Sequence, residues 1–240
     1  MPFYYGFDLT YLYIVLPCLL LAMLASAKVN STFKKYSKQI SARHLTGKDA
    51  AERVLLANGI TNVRVERISG NLTDHFDPKS NVIRLSDSVY DNPSTAAIGV
   101  ACHEAGHAVQ YAHQYFPMKV RAAIIPVTNI GSRLAMPLIL LGVLFGVGGT
   151  YSYTLVYIGI ACFSLSLIFQ LITLPVEFNA SRRAMKAISD SDLLTAEEQK
   201  GARKTLTAAA MTYVAAVAVA AAQLLRLVLI FGGGGRRRND

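Results

Sequence analysis

His103-Glu104-Ala105-Gly106-His107, inside the apolar run 95–114, decides how this chain is read. On a helix, residues four apart share a face, so both imidazoles address one point. Imidazoles so placed can each hold a zinc ion at about 2.0–2.1 Å. Glu104 follows His103 and lies about 100° further round the helix. A carboxylate there stands beside the ion and can take a proton from water. Ala105 and Gly106 are small and leave room for a substrate backbone. Glycine inside a helix costs up to about 1 kcal/mol against alanine, so Gly106 points to a need for space. Asn92-Pro93 reads as a helix N-cap followed by proline at the first helical position. After Pro93 no proline follows until Pro117. The motif is therefore expected on a helix.

Of the 240 residues, 52% are hydrophobic, and the mean hydropathy is +0.35. That is too apolar for an ordinary water-soluble domain and points to a membrane. The formal net charge of +9 fits cytoplasmic loops rich in Lys and Arg and does not call for a nucleic-acid partner. Cys18, Cys102 and Cys162 are odd in number and widely spaced in apolar runs, which excludes a disulfide framework and leaves them as small buried hydrophobes.

Residues 9–27 are almost continuously apolar, long enough to cross about 30 Å of hydrocarbon. No basic residue precedes them, whereas Lys28, Lys34, Lys35 and Lys38 follow. A retained signal anchor with its N-terminus outside is expected. Residues 46–58 read as a helix capped by Thr46, with Asp49 at its third position and Gly59 past its end. Residues 61–68 and 81–86 read as short strands, with a turn-rich stretch over 70–80 between them. The strand just before the motif helix would offer an edge to an extended peptide.

Residues 115–133 carry Pro117 and Pro126 and are expected at the membrane interface. Residues 134–149 and 153–174 form an antiparallel hairpin through the bilayer, with Pro175 marking its exit. A basic surface helix follows over 176–188. Thr195-Ala196-Glu197-Glu198 is a capping box leading into an Ala-rich last span, in which Arg226 near one end can snorkel. The expected fold is thus mainly α, a polytopic membrane protein with about four transmembrane helices and a small cytoplasmic α+β domain. Its divisions are an N-terminal anchor (1–28), the motif-bearing domain (29–133), the hairpin (134–174), surface helices (175–204), the last span (205–231) and a disordered basic tail (232–240).

A catalytic zinc needs a third protein ligand, and two residues compete. His113 completes a His-Glu-x-x-His-x-x-Gln-x-x-His spacing, but Gln110 occupies the place of a helix-breaking glycine. In a continuing helix His113 would face away. Glu177 lies just beyond the hairpin, whose two crossings return it to the side His107 left. Its alternative is a surface ion pair with Arg182, Arg183 or Lys186. His75, flanked by Asp74 and Asp77, can contact metal or substrate, or merely satisfy its own turn.

Three stretches carry a family resemblance: Ser-Gly-Asn-Leu-Thr-Asp-His-Phe-Asp-Pro (69–78), the 103–107 motif, and Pro-Val-Glu-Phe-Asn-Ala-Ser-Arg-Arg-Ala (175–184). Together they resemble the membrane zinc metallopeptidases of the YugP type, over nearly the whole chain. Those are similar in plan to HtpX-like and CAAX prenyl proteases. The resemblance implies a zincin-like domain of gluzincin type and one zinc per chain. It also implies zinc bound by His103, His107 and Glu177, with Glu104 catalytic. One departure stands out: HtpX-like sites carry Asp four residues after the ligand Glu, where this chain has Ser181. Serine can accept an imidazole N–H without adding charge.

The resulting expectation is a bacterial-type plasma-membrane zinc endopeptidase acting on a peptide or membrane-protein substrate at the cytoplasmic surface of the bilayer. Arg182, Arg183, Tyr111 and His75 are the candidate donors to a developing oxyanion. An intramembrane, site-2-type protease fits less well, because polar residues crowd 103–114. The rival from another class is a non-catalytic membrane scaffold that keeps a structural zinc.

Overall fold

The computed structural model of the chain describes residues 3–4, 7–145 and 150–232. It is mainly helical. In chain order the elements are β1 (Phe3–Tyr4), β2 (Phe7–Asp8), a π-helical turn (Tyr11–Val15), α1 (Leu16–Tyr36), α2 (Gly47–Ala57), β3 (Arg64–Ile68), β4 (His75–Asp77), β5 (Val82–Ser86), α3 (Thr95–Ala112), α4 (Phe116–Leu144), α5 (Thr150–Asp190) and α6 (Ala196–Phe231). Four helical segments, Tyr11–Tyr36, Phe116–Leu144, Ser152–Asp190 and Ala196–Phe231, are long and apolar enough to cross a membrane. The chain folds into two units, each described on its own.

One unit comprises Met1–Leu24, Val120–Thr173 and Tyr213–Asp240. Within it, small residues let α4 and the first part of α5 approach closely. A Cβ on Gly159 would lie 2.9 Å from the carbonyl of Ala135, and one on Gly142 2.8 Å from that of Ser152. Gly131 faces Leu165, Ala135 faces Gly159 and Gly142 faces Ser152, so the pair is antiparallel. Small residues are what membrane helices use where no hydrophobic driving force separates helix from lipid. The Arg226 guanidinium lies 5.5 Å from the Tyr11 ring centre, a cation–π contact where snorkelling was expected.

The other unit comprises Ala25–Lys119 and Leu174–Thr212. Its centre is α3, an Ala-rich and almost wholly buried helix that buries Thr95, Glu104, His107 and Gln110 along with its apolar residues. α2 packs on it, opened by the expected capping box: Thr46 Oγ1 accepts from the Asp49 amide, and Asp49 accepts from the Thr46 amide. Gly59 follows at φ +69°. The three-stranded sheet runs β3-β5-β4, with β3 parallel and β4 antiparallel to β5. Val82, Ile83 and Leu85 of β5 are fully buried with Val54, Ile98 and Ala101. Burying each larger aliphatic side chain contributes about 1.5–3 kcal/mol.

Several expectations change. β3 begins at Arg64, three residues later than read. The stretch over 70–80 is not all turn, because β4 lies in it. β5, the strand before the motif helix, is central, so neither of its edges is open to a peptide. The N-cap of α3 is Ser94, whose Oγ accepts from the Ala97 amide. Asn92 instead accepts from the Ser94 amide.

The divisions drawn at 133/134 and 174/175 fall inside continuous helices. α4 runs unbroken through Pro126 and Pro137, so residues 116–133 and 134–144 belong to one helix, and α5 runs through Pro175. A proline removes only one intrahelical bond, and in membrane helices neighbouring elements can satisfy the backbone groups it frees. The 204/205 division likewise lies within α6. Of the basic tail expected over 232–240, residues 233–240 lie outside the described residues, as does the 146–149 link of the hairpin.

Candidate metal centre

Two helices of the α3-centred unit build the site. α3 carries His103, Glu104 and His107, and α5 carries Glu177 and Ser181. Their close approach depends on Gly106. A Cβ there would lie 2.8 Å from the carbonyl oxygen of Ala180 and 3.4 Å from its Cα. The space read as room for a substrate backbone is filled by the backbone of α5.

The pairing brings three donors together. Glu177 Oε2 lies 3.3 Å from His103 Nε2 and 3.5 Å from His107 Nε2. The ligand atoms of all three residues lie within 4.8 Å of one another. Glu177 is 3% and His107 8% exposed, so the cluster is largely shielded from water. The two rings stand edge to face, their interplanar angle 84°. Donors about 2.0–2.1 Å from a tetrahedral zinc stand roughly 3.3–3.4 Å apart, close to the two spacings found.

Hydrogen bonding fixes which nitrogen of His107 is free. The Gln110 amide nitrogen donates to the Val176 carbonyl at 2.8 Å and to Asn179 Oδ1 at 3.0 Å. That orients the amide, so its Oε1, 2.9 Å from His107 Nδ1, accepts a proton from the ring. In neutral His107, therefore, Nε2 carries a lone pair, and that lone pair meets the Glu177 carboxylate. Two buried acceptors face each other there unless a cation lies between them. Burial disfavours imidazolium, but the hydrogen bond to Glu177 and the charges of Glu104 and Glu177 outweigh it and raise the His107 pKa above its ordinary value. A proton can thus fill the gap. A divalent ion bound by two neutral imidazoles and a carboxylate fits the same gap. His103 has its own support: Ser181 Oγ is 3.1 Å from its Nδ1 and can accept the ring N–H.

The other expected residues are dispersed. His113 caps the C-terminus of α3 in place of swinging back and is not among the clustered donors. His75 lies on β4, with Nδ1 2.9 Å from the Thr73 carbonyl and Nε2 3.5 Å from Arg84, and it too is outside the cluster. Arg183 Nε donates to Asn179 Oδ1 at 2.8 Å, and its guanidinium lies 6.0 Å from the Tyr115 ring centre. Arg182 lines a groove between α5 and α6. Tyr111 is half exposed, its ring 5.9 Å from that of Phe76 on β4.

Two residues escaped the sequence reading. Gln110 was weighed only as a substitute for a glycine. Its place one turn after His107 was the available signal. Asp74 is the second. Its carboxylate accepts from the Ser86 amide at 2.7 Å and the Ser86 hydroxyl at 3.0 Å. Burial raises its pKa against those bonds, and the nearby charge of Glu104 adds to the rise. Nothing in the local pattern of 69–78 distinguishes it from Asp77, the last residue of β4, whose carboxyl is held down at about 2 by Ser80 and the Lys79 amide. Cys102, next to His103, is fully buried, and burial pushes its thiol pKa up. It is not among the clustered donors.

Residues 11–232 match the family described as "Putative neutral zinc metallopeptidase". Over 204 residues the chain is 44% identical to the "Putative membrane protease YugP" of Bacillus subtilis (strain 168), covering 85% of this chain and 88% of that protein. No solved structure matches the chain.

Proposed function

The chain belongs to this family of neutral zinc metallopeptidases, and from that premise we propose that it is an integral membrane zinc endopeptidase. His103, His107 and Glu177 hold the ion, and Glu104 is the catalytic base. The observation that carries the reading is the convergence of His103, His107 and Glu177, whose ligand atoms lie within 4.8 Å of one another in a largely buried cluster. Zinc bound by these three residues would polarise a scissile carbonyl and lower the pKa of water to about 7.

Glu104 takes a proton from the attacking water and returns it to the leaving amine. The developing oxyanion needs a donor, and Tyr111 suits that role best. It stands seven residues after Glu104, two turns on, and hence on the same face of α3. His75 and Arg183 are already engaged by Thr73, Arg84 and Asn179. The sheet has two edge strands, β3 and β4, and an extended peptide could add at the β4 edge, the one that touches the motif helix. The Phe76–Tyr111 contact joins that edge to the motif helix. Lys28, Lys34, Lys35 and Lys38 follow the first apolar run and favour a cytoplasmic site.

The deciding experiment compares zinc-loaded wild type with Glu104→Gln in proteoliposomes, using fluorogenic peptides. The variant should keep its zinc and lose hydrolysis. Equal hydrolysis by both proteins would remove Glu104 from the mechanism. Absence of hydrolysis in zinc-loaded wild type across a broad peptide set would favour the scaffold reading.

A further inference from the structure

Beside the metal centre, the last part of α5 and the first part of α6 enclose a groove of about 530 Å³. That volume lies within the range of ligand-binding clefts. We propose that it receives an apolar, acidic segment of the polypeptide substrate adjoining the scissile bond. The inference rests on the peptidase reading above and names the substrate class of that same site.

Position is the first argument. Ser181 lines the groove, and its Oγ is 3.1 Å from His103 Nδ1. The groove therefore begins one side chain away from the metal centre. From Ser181 it reaches along α5 to Asp190, nine residues or roughly 14 Å of helix. That is long enough for three to four residues of extended chain at about 3.3 Å each, so a segment fits better than one side chain.

Its chemistry is the second argument. Phe178 and Met211 line it while remaining 43% and 49% exposed, and Met185 adds a further flexible apolar wall. Methionines adapt to side chains of differing shape. Basic residues stand along the groove, and their neutralisation is uneven. Lys186 is paired with Asp190 at 2.7 Å. Arg182 and Arg203 also line the groove, yet neither is within 4.0 Å of a carboxylate among the described residues. An apolar surface carrying two guanidinium groups without acidic partners is complementary to Asp or Glu flanked by apolar residues.

The test uses full-length zinc-loaded Glu104→Gln protein in detergent, so that bound peptide is not consumed. Two fluorescein-labelled peptides are compared by anisotropy: one contains Phe-Asp-Leu-Glu-Met, the other Phe-Lys-Leu-Lys-Met. The acidic peptide should bind about tenfold more tightly, from two partly exposed charge pairs, with a preference that shrinks as salt rises. Combining Arg182→Glu with Arg203→Glu should invert the preference while zinc stoichiometry stays unchanged. Inversion separates direct charge recognition from a general loss of fold. Equal binding of both peptides, or a preference untouched by the charge swap, would overturn the proposal. So would capture of a fluorescent anionic phospholipid at these arginines when neither peptide binds. If wild type hydrolyses nothing yet the acidic peptide binds with the expected inversion, the groove stands as a peptide site and the peptidase reading falls.

Discussion

Gln110 Oε1 accepts from Nδ1 of His107 at 2.9 Å, while the same amide donates across to the Val176 carbonyl on α5. One side chain thus sets the tautomer of neutral His107, a proposed ligand on α3, and ties α3 to the helix that carries Glu177. Gln110→Glu would keep the acceptor for His107 but lose the N–H groups that serve Val176 and Asn179. Asn179 keeps the bond from Arg183 and Val176 the one within its helix, so what is lost is the pair of bonds tying α3 to α5, about 0.5–1.5 kcal/mol each. We expect zinc affinity to fall by about 10–100-fold in Gln110→Glu and in Gln110→Ala, measured by competition with a chromophoric chelator. Wild-type affinity in both variants would show that the amide does not position the ligand. In metal-free wild type, ¹⁵N shifts should place the proton of neutral His107 on Nδ1.

The ligand set predicts an order of zinc loss. His103→Ala and His107→Ala should lose stoichiometric zinc. Glu177→Ala and Glu177→Gln should weaken binding beyond the roughly 100-fold reached by outer partners, because each removes a ligand charge. Ser181→Ala should stay within about 10–100-fold. His113→Ala should change little, since that residue caps the helix outside the cluster. Tight zinc binding by Glu177→Ala would refute the proposed centre.

Gly106 tests the helix contact beneath the site. Alanine gains up to about 1 kcal/mol of helix propensity. Its Cβ, however, would meet the Ala180 carbonyl at 2.8 Å, and overpacking costs about 1–3 kcal/mol. Gly106→Ala should lower the melting temperature in detergent and weaken zinc binding, as α3 and α5 are pushed apart at the ligands. Gly99→Ala meets Ala202 Cβ at 3.2 Å, further from the ligands. It should leave zinc affinity near wild type.

Removing the Tyr111 hydroxyl isolates its proposed role. Tyr111→Phe should retain zinc and lower kcat by about 10²–10³-fold, the usual effect of deleting one oxyanion donor. Unchanged kcat would return the role to Arg182.

Orientation in the membrane is open to direct measurement. Single cysteines in place of Lys34 and Arg182, in a background lacking Cys18, Cys102 and Cys162, should resist an impermeant thiol reagent added outside intact cells, while one at Thr150 should react. The reverse pattern would put the metal centre outside the cell.

The sequence by itself determined the local elements. The motif's helix, the Thr46 and Thr195 capping boxes, the two longer strands and the presence of long apolar helices follow from interactions within a few residues of one another, which one-dimensional patterns record. Residue identity also pointed to Glu177 and Ser181, through a resemblance carried by short stretches. What only the tertiary structure decided depends on partners remote in sequence. Gly106 makes room for Ala180, which lies 74 residues away, and no helical pattern could reveal that its neighbour is backbone. Gln110 looked like an ordinary helix former until α5 placed two acceptors against its amide. β4 is too short to announce itself and exists because β5 pairs with it. The helices also outran the proline and charge signals that were read as their ends. A proline removes one intrahelical bond, and contacts remote in sequence hold the chain helical past it: beyond Pro175, Val176 and Ala180 are fully buried and Glu177 joins the cluster on α3.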